Sequence, residues 1–233
     1  MLESDVFKRT VANAEIMGDS KYNLVIGIVL CWGFFVNWLL VVNVDPAFLR
    51  SINIWVFLIG YFASCFFGVY LFNKSDKPHI SFVGYNFVVV PFGLIVNMVV
   101  SQYNTEIVID AIKITGGVTI VMMVLGSMFP AFFKKISGAL TIALLAVLII
   151  ELFQIFVLGI HHNWIDWAVA AIFCGYIGYD WGRANQIPKT MDNAVDSATA
   201  LYMDIINLGV YIIIAIVFLG IVYNLIKEFF GKK

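Results

Sequence analysis

The chain has 233 residues, of which 62% are apolar and only 12% charged, with a mean hydropathy of +0.95; a soluble domain carries roughly 45–50% apolar and about 25% charged residues. These proportions exclude a soluble globular domain and fit a polytopic membrane protein. The 14 Lys and Arg residues against 15 Asp and Glu give a formal net charge of -1, so no global basic field exists to attract nucleic acid.

Residues 1–21 hold Glu3, Asp5, Lys8, Arg9, Glu15, Asp19 and Lys21. They are too polar for the core of a cleaved signal peptide and read as a cytoplasmic leader. A helical span needs about 20 mostly apolar residues to cross a hydrocarbon core of roughly 30 Å. Seven segments satisfy this: 22–43, 52–73, 81–102, 107–131, 138–160, 163–183 and 198–226. Turn-rich stretches separate them, including NVDP at 43–46, NKSDKPH at 73–79 and RANQIPKTMDN at 183–193. The expectation is a single transmembrane domain over 22–226 with a short tail at 227–233.

In the second span Gly60, Ser64 and Gly68 form a small-residue ladder that lets a neighbouring helix approach closely. In the third, Pro91 removes the hydrogen bond to the Phe87 carbonyl, with Asn86 and Asn97 as the nearby candidates to compensate. Pro91 marks either a packing kink or a hinge with a pore-lining carbonyl. Asp110 and Lys113 in the fourth span are three residues apart and can pair on one helix face. Glu151 in the fifth lies one turn before Gln154 and is either a protonated buried acid or a residue lining a wet cavity. His161, His162 and Asp166, beside Trp164 and Trp167, read as interfacial residues of an aromatic belt, because a dedicated metal site wants three or four ligands.

Lys and Arg near helix ends set orientation. A cytoplasmic N-terminus collects Lys8, Arg9, Lys21, Lys74, Lys77, Lys134, Lys135, Arg183 and Lys189 on one side, against Arg50, Lys227, Lys232 and Lys233 on the other. Cys31, Cys65 and Cys174 each stand alone in apolar sequence. They suggest neither disulfide nor zinc and read as small buried hydrophobes.

Asp180 near the end of the sixth span and Asp204 about two turns inside the seventh lie on consecutive antiparallel helices. An ionisable group inside a span costs about 2.5–3.5 kcal/mol. Two carboxylates meeting in a low dielectric tend to share a proton, which makes a pH sensor. The same pair suits calcium, a cation that prefers oxygen ligands, with Tyr179, Tyr202 and Asn207 supplying further oxygens. The plainer alternative is that each aspartate hydrogen-bonds a neighbouring helix.

Tyr179-Asp180 and the run Ala200-Leu201-Tyr202-Met203-Asp204-Ile205-Ile206-Asn207-Leu208, whose Asp204 lies 24 residues after Asp180, resemble the signature of the transmembrane Bax inhibitor motif family, also called the Bax inhibitor-1 family. Ala111, Thr115, Leu125-Gly126-Ser127 and Lys134-Lys135-Ile136-Ser137 resemble the family's pattern around the fourth and fifth spans. The resemblance implies an all-α, seven-transmembrane-helix bundle with the last helix central, acting as a pH-sensitive calcium leak. Asp180 and Asp204 would be its two-aspartate sensor and transient cation ligands. Relatives are described with a basic residue near the end of the second helix that pairs with the aspartates. Here residues 51–73 carry no charge, and Lys74 and Lys77 are the nearest bases.

Two other classes compete with a channel. A non-conducting scaffold that binds other membrane proteins is one. The other is an intramembrane aspartyl protease, whose second aspartate sits in a Gly-x-Gly-Asp sequence; Tyr202-Met203-Asp204 does not match it, so no enzyme is expected. No cofactor is expected either: calcium is the permeant ion, and the partners are the lipid bilayer, calcium and protons. The compact connections favour a prokaryotic plasma membrane, with an endoplasmic reticulum or Golgi membrane as the alternative.

Overall fold

The computed structural model describes residues 15–154 and 164–230. Residues 1–14 of the expected leader, His161, His162 and residues 231–233 of the tail lie outside the described residues. The described chain is helical throughout: α1 (Asp19–Asn43), α2 (Pro46–Ser51), α3 (Ile54–Lys74), α4 (Pro78–Val100), α5 (Thr105–Met128), α6 (Pro130–Phe153), α7 (Trp164–Ala184) and α8 (Met191–Phe230). Among the described residues no strand occurs.

The seven long helices follow the seven predicted segments in order. Six of them, α1, α3, α4, α5, α6 and α8, are long and apolar enough to cross a membrane. The remaining one, α7, has 21 residues and carries Asp166, Asp180 and Arg183. Large apolar side chains point outward along these helices, among them Trp55, Ile59, Phe66, Ile142 and Ile149. Such exposure is what a lipid solvent requires of a helix surface.

Three boundaries differ from expectation. The connection at 43–53 contains the short helix α2, capped by Asp45 accepting from the Ala47 amide at 2.8 Å. Between α5 and α6 the chain breaks only at Phe129, and the polar run Lys134 to Ser137 is helical. Pro130 at the first position of α6 explains this start, since proline lacks an amide that the first turn would leave unpaired anyway. At the last helix, α8 begins at Met191 rather than 198.

The described residues fall into two compact units, one built from those up to Tyr103 with Asp180–Met203, the other from those between Asn104 and Tyr179 with those from Asp204 onward. In the first unit α4 packs against both α1 and α3. On the α3 side the small-residue ladder works at two of its three rungs. Gly68 lies so close that an added Cβ would be 2.5 Å from the Gly84 carbonyl oxygen, and Ser64 donates to the Phe87 carbonyl at 2.7 Å. Gly60 faces open space.

That Phe87 carbonyl is the one Pro91 leaves without a helical donor. Ser64 of α3 therefore repairs the proline defect, and the two asparagines expected to do so are engaged elsewhere. Asn86 accepts from the Trp32 indole at 2.9 Å, and Asn97 donates to the Leu40 and Val44 carbonyls at 2.8 and 2.9 Å, closing the end of α1. A hydroxyl across the interface both satisfies the carbonyl and ties α3 to α4.

In the second unit α5, α6, α7 and the later part of α8 interlock through small residues. Gly126 of α5 abuts the backbone of Gly178 on α7, and Gly175 and Gly178 receive Leu140 and Phe133 of α6. Tyr176 and Thr141 share a hydrogen bond at 3.0 Å, and Phe173 stacks on Tyr211 of α8 at 6.3 Å between ring centroids. Among the cysteines, all three free, Cys65 and Cys174 are half-buried but Cys31 is exposed on α1. The expectation of a buried Cys31 is corrected: the helix face it occupies is an outer one, where lipid accepts a thiol as readily as a core does.

Candidate functional site

Asp180 sits in the last turn and a half of α7, one turn before Arg183. Arg183 Nη2 lies 2.8 Å from Asp180 Oδ1, and the two side chains are 21% and 10% exposed. An arginine in the last turn also faces the negative end of the helix dipole, which favours it there. The base that pairs with the first aspartate thus comes from the same helix, not from the second span or from Lys74 and Lys77.

The first turns of α8 carry a buried polar cluster that the sequence reading assigned to a connection. Thr190 accepts from the Asn193 amide at 3.1 Å, the hydrogen bond of a helix N-cap. Asn193 donates its side-chain amide to the Pro188 carbonyl at 2.7 Å. One turn of α8 separates Asp192 from Asp196, and both are buried. Ser81 of α4 donates to Asp192 Oδ1 at 2.8 Å. From α1, the Tyr22 hydroxyl donates to the Asn193 carbonyl and stands 3.2 Å from the Ser197 hydroxyl. The signal was present in the sequence: Thr190 followed by an acid in the next turn is a helix start.

Tyr202 is fully buried in the first unit, against Tyr85 with ring centroids 5.5 Å apart. Its hydroxyl is 2.7 Å from Asn37 Nδ2 and 3.0 Å from Oδ1 on α1. The side chain expected to offer an oxygen to a cation is therefore engaged by an asparagine. Tyr202→Phe leaves the buried Asn37 amide without that partner and should cost about 1–2 kcal/mol. Chemical denaturation of the purified variant in detergent measures it; an unchanged midpoint would show the pair to be energetically neutral.

In the second unit Asp204 is buried on α8, and Asn207 follows one turn later, half-buried. Gly209 lies beside Thr115 of α5, so that a Cβ there would be 3.5 Å from the Thr115 hydroxyl. Half-buried Glu151 of α6 and fully buried Asp166 of α7 both act electrostatically on Tyr211 of α8. Tyr179, half-buried, closes this unit's share of α7. Asp110 and Lys113 form their pair at 3.0 Å with both side chains exposed. Asp180 belongs to the first unit and Asp204 to the second.

Among the described residues no group of three or more His, Cys, Asp or Glu side chains is arranged to hold a metal ion. Asp166, which the sequence grouped with the histidines at an interface, is buried at 1% exposure.

Long apolar helices enclosing a few buried carboxylates define a multi-pass integral membrane protein. Compared with known protein families, residues 19–221 match the family described as inhibitor of apoptosis-promoting Bax1, and the chain belongs to it, the Bax inhibitor-1 family. No curated protein matches the chain.

Proposed function

We propose that this protein is a pH-sensitive calcium leak channel in which Asp180 and Asp204 form the sensor. The supporting observation is the state of Asp180: a buried carboxylate at the family's motif position, held by Arg183 at 2.8 Å. An ion pair of this kind exists only while the carboxylate is ionised, so proton uptake releases the arginine and changes the charge at the end of α7. Asp204, buried on the helix that bears the rest of the motif, is the second proton-accepting group. Calcium is the cargo, and its passing ligands would be the two carboxylates with Asn207 and backbone carbonyls; no cofactor and no catalytic step enter. The membrane that fits the compact connections best is a prokaryotic plasma membrane.

Purified protein in calcium-loaded liposomes tests this reading. Wild-type efflux should vary with external pH, and Asp204→Asn and Asp180→Asn should each remove that variation. Efflux independent of pH, or variants that titrate like the wild type, would sink the sensor. No efflux from any form of the folded protein would favour a scaffold for other membrane proteins.

A further inference from the structure

The polar cluster at the start of α8 has a charge imbalance that the proposed leak does not use. Asp196 is 2% exposed, and neither of its carboxylate oxygens accepts a hydrogen bond. Ser81 faces both Asp196 and Asp192, but a hydroxyl has one proton and it is given to Asp192 Oδ1 at 2.8 Å. Asp192 stands four residues earlier on the same helix, so the two acidic side chains emerge on one face about 5–6 Å apart at Cβ.

The groups facing Asp196 come from four places. They are Asp192 on α8, Arg183 on α7, Asp76 just before α4 with Ser81 in its first turns, and Tyr22 on α1. Only Arg183 among them is positive, and it is bonded to Asp180. Lys189, the other base of this stretch of chain, is bound to Asp19 at 2.6 Å. Burying a bare carboxylate without donors is among the costliest arrangements a fold can hold, and such a group neutralises instead.

We infer that Asp192 and Asp196 together bind one proton, forming with Ser81 a proton-binding site at the α4–α8 junction that is separate from Asp180 and Asp204. The proton sits on Asp196 or between the two acids, and supplies the donor that the fold otherwise lacks. Losing it leaves two adjacent negative charges against α4 and loosens the first turns of α8. The site stands whether or not the protein conducts calcium.

The sign of its effect on stability follows from proton counting. An unfolded aspartate is ionised above about pH 4, so near neutrality the folded protein holds a proton that the unfolded chain has released. Stability then falls as pH rises. Infrared spectroscopy of the purified protein in heavy water reads the site directly. The wild type should show the carbonyl band of a protonated carboxylic acid at neutral pH. Asp196→Asn should remove it, whereas Asp180→Asn, Asp204→Asn and Ser81→Ala should retain it. Asp192→Asn, whose amide can donate to Asp196, should remove it too, and serves where Asp196→Asn does not fold. A spectrum unaltered by both substitutions overturns the proposal. So does a saturable rise in melting temperature with potassium or calcium that Asp196→Asn abolishes, since that would make the occupant a metal cation.

Discussion

Arg183→Ala should destabilise the folded protein by about 3 kcal/mol, the scale expected when one member of a buried ion pair is removed and its partner is left in place. Asp180 is 10% exposed as a side chain and would be left buried with no base at 2.8 Å to answer it. The loss should be largely reversed in the double variant Asp180→Asn, Arg183→Ala, where neither charge remains. Recovery is incomplete because Arg183 also acts on Asp196 and Tyr22. Unfolding free energies of the four forms in detergent close the cycle. A double variant as unstable as Arg183→Ala alone would mean that the arginine acts through its packing or through Asp196, and not through the Asp180 pair.

Gly126→Ala carries the second large effect. The added methyl would run into the Gly178 carbonyl oxygen and lie 3.2 Å from the Gly178 Cα, which are backbone atoms that no rotamer change can move aside. Overpacking against backbone should cost about 2–3 kcal/mol by separating α5 from α7. Gly116 and Gly117 on the same helix face open space, where alanine should instead gain up to about 1 kcal/mol from helix propensity. One substitution type on one helix is thus expected to shift the melting temperature in opposite directions. A fall of the same size at all three positions would show that α5 responds to glycine loss generally and not to its contact with α7.

The helices were legible because apolar length is a strong signal in this solvent: each predicted span recurs as a helix, displaced by a few residues. What composition alone could not reveal is where a helix starts among polar residues. Lys134-Lys135 looked like a connection, yet Pro130 begins the helix before them. Asp192 and Asp196 both precede the predicted start of the last span at 198, yet Thr190 caps a helix that buries both. Pairing was legible only where the partner is local, as with Asp110 and Lys113. Ser64 with Phe87, Ser81 with Asp192 and Asn37 with Tyr202 join residues distant in the chain, and no spacing rule reaches them. Asp180 and Asp204 stand out in the sequence as acids on consecutive spans and then as part of a motif, whereas the base that holds Asp180 reads there only as a determinant of orientation.

The unbroken length of α8 has a mechanical consequence. At 1.5 Å per residue its 40 residues make a rod of about 60 Å, roughly twice the thickness of the hydrocarbon core, so a large part of it must stand in headgroups or water. Between Asp192 and Asp204 the sequence holds neither glycine nor proline, and these are the residues at which helices bend. That stretch therefore lacks the residues at which a bend would form. A thinner bilayer leaves still more of this rod outside the hydrocarbon core.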